Sequence, residues 1–262
     1  MIDCHCHILP GIDDGARDME HALAMARKAV ASGITDIIAT PHHLNGVYWN
    51  SRKSILKAVA ILRIRLAEED IPLNIFPGSE LHLAPELLEQ LEQGEAMTYA
   101  DLGKAVLVEF PRHTIPTGSE QILENLFYQG LTPVVAHPER NSTLCEDRER
   151  VGEWVAQGCK LQLTTNSCAG DFGRPMQAVS RYWCERGWVH LIASDAHRTE
   201  RRAPDMRAGA AKIEQWLGAE AARLMSVDNP KRLKNGEDLV SIEPVRFDRK
   251  IGRFSLFGRG RR

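Results

Sequence analysis

The sequence predicts an α/β protein whose parallel strands are arranged as a (β/α) barrel. Short apolar runs alternate with amphipathic stretches, and no two strands follow one another directly, which is typical of parallel strands joined by helical crossovers. About seven such units occur, one short of the eight in a complete barrel. A chain of 262 residues is long enough for one such domain, whose site would lie at the carboxyl ends of the strands.

The first predicted strand carries the motif Asp-Cys-His-Cys-His. Because side chains alternate along a strand, Asp3, His5 and His7 are expected to share one side. Two neighbouring imidazoles at the end of a strand are a ready pair of metal ligands. Cys4 and Cys6 are expected to share the other side as small core residues, which disfavours a zinc site made by all four side chains.

The remaining elements follow from hydrophobic periodicity and turn signals. An apolar stripe predicts a helix that begins near Asp18 and stops at Gly33. Pro85, in a favoured first-turn position, marks a short helix. The strands are predicted at residues 2–6, 36–40, 73–77, 105–108, 133–136, 160–164 and 189–193, and further helices at 52–68, 119–128, around 151–155, 205–217 and 220–225.

Metal-ligand residue types follow these strands one after another. Parallel strands end at one face of a barrel, so the side chains are expected to converge there. A shuffled sequence would not place His, Asp and Glu so selectively. The residues are His5, His7, His42, Glu80, Glu109, His137, Asp195 and His197, and Asp13 and Asp14 lie in a loop that would return over them.

These groups are too many for one four-coordinate ion and suit two or three metals that share bridging carboxylates. Glu80, Glu109 and Asp195 are the predicted bridges. A cluster of divalent ions lowers the pKa of a bound water and stabilises the charge of an in-line displacement at phosphorus. Mixed oxygen and imidazole ligands suit Mn²⁺, Fe²⁺ or Zn²⁺. The strand ends therefore predict metal-assisted hydrolysis of a phosphate ester.

A phosphate substrate needs cations beyond the metals. Arg140 and three arginines after the last strand, Arg198, Arg201 and Arg202, are expected at the rim of the site. Planar guanidinium groups pair with phosphate oxygens in a bidentate way. Any one of them is equally explained by charge balance or solvation, but at least one is expected to bind phosphate.

Composition narrows the class of protein. Hydrophobic residues make up 43% and charged residues 26% of the chain, as in globular proteins with a substantial core. No membrane-spanning run or signal peptide is recognised, so a cytoplasmic location with reduced cysteines is expected. Residues 246–262 contain seven basic residues and one acid, so they carry +6 and residues 1–245 carry −8 of the net charge of −2. An acidic body argues against binding to a nucleic-acid backbone.

Seven motifs together resemble the polymerase-and-histidinol-phosphatase (PHP) superfamily, most closely its bacterial protein-tyrosine phosphatases of capsule and exopolysaccharide operons. The resemblance runs from residue 1 to about 230; the set is specific, although His-x-His alone is weak. The motifs are Asp-Cys-His-Cys-His (3–7), Asp-Asp-Gly (13–15), Thr-Pro-His (40–42), Gly-Ser-Glu (78–80), Val-Glu (108–109), Ala-His-Pro-Glu-Arg (136–140) and Ser-Asp-Ala-His (194–197).

The resemblance implies a distorted seven-stranded barrel in one PHP-type domain, residues 1–245, and three metals usually assigned Mn²⁺. It also implies hydrolysis of phosphotyrosine on a membrane tyrosine kinase. Arg140 and Arg202 match the phosphate-binding arginines, although the local run allows a slip to Arg201, and His43 has no role beyond a place near the ligands or the rim. By position, the first metal is held by His5, His7, Glu80 and Asp195, the second by Glu80, Glu109 and His137, and the third by Asp14, His42 and His197.

The expected mechanism is direct attack of a metal-bound hydroxide on phosphorus, without a phospho-enzyme. A tyrosine phenolate, with a pKa of ~10, leaves readily, so no general acid is assigned. A histidinol phosphatase or a nuclease would use the same ligands, and the acidic body disfavours the nuclease. A non-catalytic, metal-stabilised binding module is disfavoured because structural metal sites are saturated by four ligands.

Two other features allow alternative interpretations. Cys168 and Arg174 have the Cys-x5-Arg spacing of thiol-dependent tyrosine phosphatases, but Asp171 would place a carboxylate inside the phosphate loop and Pro175 follows the arginine. The basic tail, residues 246–262, interleaves phenylalanines with its arginines. It is either a disordered solubilising end or a weak tether to the inner membrane leaflet or an acidic partner.

Overall fold

The computed structural model describes residues 1–245, and the predicted basic tail at 246–262 lies outside the described residues. The described part contains nine strands. They are β1 (Ile2–Cys6), β2 (Asp36–Ala39), β3 (His42–His43), β4 (Asn74–Pro77), β5 (Glu80–His82), β6 (Ala105–Glu109), β7 (Thr132–Ala136), β8 (Lys160–Thr164) and β9 (Leu191–Ala193).

All neighbouring strands are parallel and form two sheets, in the orders β1-β2-β4 and β3-β5-β6-β7-β8-β9. The nine strands are seven segments, because only Thr40 and Pro41 separate β2 from β3, and only Gly78 and Ser79 separate β4 from β5. Pro41 has no N–H to donate to a ladder. A Cβ on Gly78 would lie 2.9 Å from Ile38 Cγ2, so a larger residue there would force its neighbours to shift.

The two sheets curve into a distorted barrel. β9 returns to β1 through an isolated bridge between Ala196 and Cys6. The His7 N–H donates to Ala196 O at 2.9 Å, and the Asp195 N–H donates to His5 O at 2.8 Å. The predicted parallel α/β barrel of seven segments is therefore confirmed, with the difference that its hydrogen-bond ladder is not one continuous closed ring.

The helices pack on the outside of the barrel. The side chain of Asp18 accepts from the His21 N–H at 2.8 Å and caps the first helix as its sequence predicts. No helix within residues 1–245 is both long and apolar enough to cross a membrane. The helices are α1 (Met19–Ala31), α2 (Arg52–Glu68), α3 (Leu87–Glu92), α4 (Ser119–Tyr128), α5 (Ser142–Glu146), α6 (Arg150–Ala156), α7 (Thr165–Ala169), α8 (Arg174–Glu185), α9 (Arg207–Leu217), α10 (Ala219–Arg223) and α11 (Asn229–Lys234).

The core has two clusters, one inside the barrel and one between the barrel and the helices. Alternation along β6 sends Leu107 to the inner cluster and Val106 and Val108 to the outer one. Tyr99, from the turn before β6, joins the inner cluster and is 2% exposed. The inner cluster is apolar and lies below the polar strand ends, so the site rests on a packed floor.

β1 departs from the regular alternation that the sequence predicts. Its pairing with β2 shifts register between Asp3 and Cys6, and Asp3 Oδ1 accepts from the His5 N–H at 3.3 Å. Cys4 lies in the inner cluster and Cys6 in the outer one, so the prediction that they share one side is wrong. A local irregularity of this kind re-aims side chains at the end of a strand. Both cysteines are nevertheless fully buried core residues, as expected.

Candidate metal centre

Four ligand atoms meet at one point at the carboxyl end of the barrel. The Nε2 atoms of His5 and His7 are 3.2 Å apart. Glu80 Oε2, from β5, lies 3.3 Å from each of them. Asp195 Oδ1, just after β9, lies 3.4 Å from His5 Nε2 and 3.3 Å from His7 Nε2. Ligands about 2.1 Å from one ion at tetrahedral angles are about 3.4 Å apart, so the spacing fits a shared cation.

The lack of hydrogen-bond partners for two carboxylate oxygens also fits a metal site. Glu80 and Asp195 are both 1% exposed. Glu80 Oε2 and Asp195 Oδ1, the atoms that face the histidines, have no hydrogen-bond partner. A buried carboxylate oxygen without a partner is costly, and a coordinated cation removes that cost.

The two histidines are held so that Nε2 can donate an electron pair. His5 Nδ1 lies 2.8 Å from Gln162 Oε1, and His7 Nδ1 lies 2.8 Å from Asp13 Oδ2. Each acceptor fixes the proton on Nδ1 and orients the ring, as supporting residues do in metal sites. The sequence does not identify these two roles. Gln162 lies inside a predicted strand, and Asp13 is directly next to Asp14, the residue predicted as a metal ligand.

A second group adjoins the first through Glu80. His137 Nε2 lies 2.8 Å from Glu80 Oε1 and 3.8 Å from Glu109 Oε1. His42 Nδ1 lies 3.0 Å from Glu80 Oε2 and 3.6 Å from Glu109 Oε2, and is buried without a hydrogen-bond partner. The two oxygens of Glu80 thus face different histidines, as they would in a carboxylate that bridges two ions.

A third group lies on the Nε2 side of the His42 ring. Asp14 Oδ1 is 3.5 Å from His42 Nε2 and 3.4 Å from His197 Nε2. Ligand atoms of these three residues and of His7 all lie within 4.8 Å of one another. His197 Nδ1 donates to Asp195 O at 3.0 Å, which leaves Nε2 for a ligand. The structure therefore brings all nine candidate ligands together in adjoining groups that overlap, since His5, His137 and Asp195 also have ligand atoms within 4.8 Å of one another.

The acids of the site do not share one electrostatic environment. Burial opposes ionisation of Glu80, but His5 and His42 lower its pKa well below its usual range. Burial and the neighbouring Glu80 carboxylate raise the pKa of Glu109 to about 7. Like charges held this close cannot both ionise without added positive charge. A divalent cation between Glu80 and Glu109 would supply it.

Two imidazoles of the site are held neutral, the state that binds a metal. Burial and the Arg140 guanidinium lower the pKa of His137 to about 4. Burial and His7 lower the pKa of His197 to about 4. A neutral imidazole keeps its lone pair for coordination near neutral pH.

The backbone at the site is strained where the functional side chains leave the strands. His137, Asp195 and Arg202 have φ values of 30°, 50° and 55°. Residues other than glycine rarely adopt this left-handed region, and they remain there only where the surrounding structure fixes them. Such strain concentrates at ligand and catalytic sites.

Two of the four predicted rim arginines point into the site. Arg140 Nη1 and Arg202 Nη2 both donate to Asp195 Oδ2, the latter at 2.6 Å. Arg201 is exposed, so the geometry favours Arg202 over its neighbour. Arg198 Nη1 donates to Asp14 O at 2.7 Å and so holds the loop that carries this ligand. Asp195 therefore presents one oxygen to the histidines and the other to two guanidinium groups.

His43 does not lie at the rim. It is fully buried, and neither ring nitrogen has a hydrogen-bond partner. Burial lowers its pKa to about 4. Its ring packs against Trp49, with centroids 5.2 Å apart, so it is a neutral packing residue directly after a ligand.

The Cys-x5-Arg motif does not form a thiol site. Cys168 lies in α7, is fully buried and belongs to the outer apolar cluster. Burial raises its pKa well above the usual value for a thiol, whereas a nucleophilic cysteine needs a lowered pKa and access to the substrate. Cys168 is therefore a core residue.

Comparisons with known proteins give one consistent result. A family model described as capsular polysaccharide synthesis, CpsB/CapC, matches residues 1–235. The tyrosine-protein phosphatase YwqE of Bacillus subtilis is 39% identical over 258 residues, which are 98% of this chain and 99% of the relative. The tyrosine-protein phosphatase CpsB of Streptococcus pneumoniae is 32% identical over 238 residues, 89% of this chain and 98% of the relative.

The fold comparison agrees. A solved structure superposes with a TM-score of 0.89 at 37% identity and covers 94% of this chain and 100% of its own. It comes from a crystallographic description of YwqE from Bacillus subtilis and CpsB from Streptococcus pneumoniae as unique metal-dependent tyrosine phosphatases.

Proposed function

The chain belongs to the CpsB/CapC family of capsular polysaccharide synthesis proteins, and from this premise we propose that it is a metal-dependent protein-tyrosine phosphatase. It is thus a phosphoric monoester hydrolase. The observation that carries the proposal is the carboxylate of Asp195, which faces His5 and His7 with one oxygen and two arginines with the other. Asp195 therefore contacts both the candidate metal ligands and the arginines that could bind phosphate.

The proposed cofactor is three divalent ions held in adjoining positions by the nine candidate ligands, whose ligand atoms lie in overlapping groups. Mn²⁺ is the proposed metal, and Fe²⁺ and Zn²⁺ also suit these ligand types. When bound, such ions neutralise charge on a phosphoryl group and lower the pKa of a water. The first ion would be held by His5, His7, Glu80 and Asp195, the second by Glu80, Glu109 and His137, and the third by Asp14, His42 and His197.

The protein's own groups prepare the site for a phosphate monoester. Gln162 and Asp13 keep the protons of two histidines on Nδ1 and away from the ligand side. Arg140 and Arg202 present guanidinium groups that can turn from Asp195 to the phosphoryl oxygens and hold them in a bidentate way. A phenolate is a good leaving group, so no side chain has to protonate it.

The proposed substrate is phosphotyrosine in a protein, and the proposed partner is a tyrosine kinase that acts in capsule synthesis at the membrane. The names of the relatives and of the family support this choice. A cytoplasmic location and a weak membrane contact through residues 246–262 belong to the same proposal.

Comparison of two substrates tests the function. Purified protein loaded with Mn²⁺ is expected to hydrolyse a phosphotyrosine peptide with a kcat/KM at least about tenfold above that for histidinol phosphate, because an aryl oxygen leaves more easily than an alkyl oxygen. Phosphate release would be measured with each substrate, before and after chelation. Preference for histidinol phosphate would identify a small-molecule phosphatase instead. Full metal occupancy without turnover of any aryl phosphate would identify a binding module.

The alternative of a thiol-dependent mechanism at Cys168 is tested separately. Cys168→Ser is expected to leave kcat/KM for the phosphotyrosine peptide within about twofold of the unaltered protein, because the buried thiol cannot reach a substrate. Rates would be measured alongside the melting temperature, since serine places a hydroxyl in an apolar cluster. Loss of turnover in a folded variant that retains its metals would instead identify Cys168 as the nucleophile.

A further inference from the structure

The loop between β3 and α2, residues 44–50, exposes apolar side chains beside the site. Val47 is 78% exposed and Trp49 is 63% exposed. Tyr48 lies between them and is partly buried. Exposed side chains of this size in one short loop at the rim of a polar site mark a contact surface.

Contacts tie this loop to the ligand His42. The ring of Tyr48 lies nearly parallel to the His42 ring, with centroids 6.1 Å apart and 9° between the planes. Trp49 packs on His43, the residue directly after His42. The aromatic side chains therefore continue the wall of the site outward.

The loop is built to hold one conformation. Asn45 Oδ1 accepts from the N–H groups of Val47 and Tyr48 at 3.0 and 2.8 Å. Asn50 Nδ2 donates to His42 O at 2.9 Å and so anchors the end of the loop to the site. Leu44 has a φ of 65°, a conformation that a branched residue keeps only where its neighbours fix it. A preformed surface binds with a smaller loss of conformational entropy.

We propose that residues 44–50 are the substrate-recognition loop of this phosphatase. The aryl ring of the phosphotyrosine packs against Tyr48, and apolar residues that flank it in the substrate contact Val47 and Trp49. The proposal rests on the proposed function. It adds a structural reason for the preference of the enzyme for aryl phosphates in a peptide. The occupant follows from position: Tyr48 lies beside His42, a residue of the proposed metal centre, so the aryl group of a phosphate ester bound at that centre would lie next to this wall.

Variants of the loop test the proposal with three substrates: a phosphotyrosine peptide with apolar flanking residues, p-nitrophenyl phosphate and phosphoserine. Tyr48→Ala is expected to lower kcat/KM for both aryl substrates by about two- to tenfold, the range of one aromatic contact, and to leave phosphoserine unchanged. Tyr48→Phe is expected to restore the rate. Val47→Ser and Trp49→Ala are expected to raise KM for the peptide alone, by about three- to tenfold, with little change in kcat.

Exposed apolar residues far from the site provide the controls. Tyr128→Ala and Ile64→Ser remove side chains that are 78% and 60% exposed on outer helices, and both are expected to leave all three rates unchanged. Metal content and melting temperature would be measured for every variant, and Val47→Ser keeps the test valid if Trp49→Ala unfolds the loop over His43. Equal loss with all three substrates, or no loss in any loop variant, would overturn the proposal. If the unaltered protein hydrolyses no phosphotyrosine, the proposed function itself fails.

Discussion

Glu80→Gln is expected to lower kcat/KM for a phosphotyrosine peptide by about a thousandfold or more. Glu80 faces both of the first two groups: Oε2 lies 3.3 Å from His5 Nε2 and 3.0 Å from His42 Nδ1, and Oε1 lies 2.8 Å from His137 Nε2. Glutamine has the same shape but only one oxygen and no charge, so it cannot bridge two cations. Metal ions contribute several kcal/mol to the transition state, and each 1.4 kcal/mol is about tenfold in rate.

The matched control is Glu68→Gln, which changes an exposed glutamate on the outside of α2 and is expected to leave the rate unchanged. Rates would be measured with saturating Mn²⁺, so that weak binding does not pass for lost chemistry. A Glu80→Gln protein that keeps more than about a tenth of the activity would contradict the assignment of a bridging carboxylate.

Arg140→Ala is expected to lower kcat/KM by about a hundred- to a thousandfold, the usual effect of removing one donor that stabilises transition-state charge. Arg202→Ala is expected to act in the same direction, whereas Arg201→Ala, one position earlier and exposed, is expected to have little effect. The physical reason is position: the guanidinium groups of Arg140 and Arg202 reach Asp195 Oδ2, at the edge of the metal groups.

Measuring the metal content of Arg140→Ala distinguishes a role in binding the substrate from a role in holding Asp195 in place. If Arg140→Ala keeps its metals but loses turnover, the arginine acts on the substrate. If it loses the metals in proportion to the activity, the arginine only holds the ligand. Full activity in both Arg140→Ala and Arg202→Ala would remove the phosphate-binding role from this pair.

The positions of the ligands could be predicted because they depend on two general rules. Strand periodicity locates the ends of β1, β6 and β7, and parallel strands deliver those ends to one face. The family resemblance adds the grouping of ligands, and the family match of residues 1–235 confirms the family.

Other features depend on tertiary contacts that periodicity does not encode. Gln162 lies in a buried run that reads as ordinary strand, and only the packed barrel brings its amide to His5. The register shift in β1, where the His5 N–H donates to Asp3 Oδ1, accompanies the placement of Cys4 and Cys6 in different clusters. The breaks at Pro41 and Gly78 divide the strands between two sheets, and at Pro41 the backbone has no N–H to donate to a ladder.

The choice between Arg201 and Arg202 illustrates the same limit. Both lie in one short polar run, so sequence position alone leaves a slip of one residue. The left-handed backbone at Arg202 turns its side chain to Asp195. Backbone conformation of this kind is set by the surrounding fold and has no local sequence signal.

The central claim is that the ends of successive parallel strands converge on a shared cluster of divalent ions. Anomalous diffraction from crystals grown with Mn²⁺ tests it most directly. Three manganese peaks are expected, each at bonding distance from its own group of ligands, with Glu80 shared by two of them. A single peak enclosed by four ligands, or manganese bound away from His5, His7 and Glu80, would contradict it.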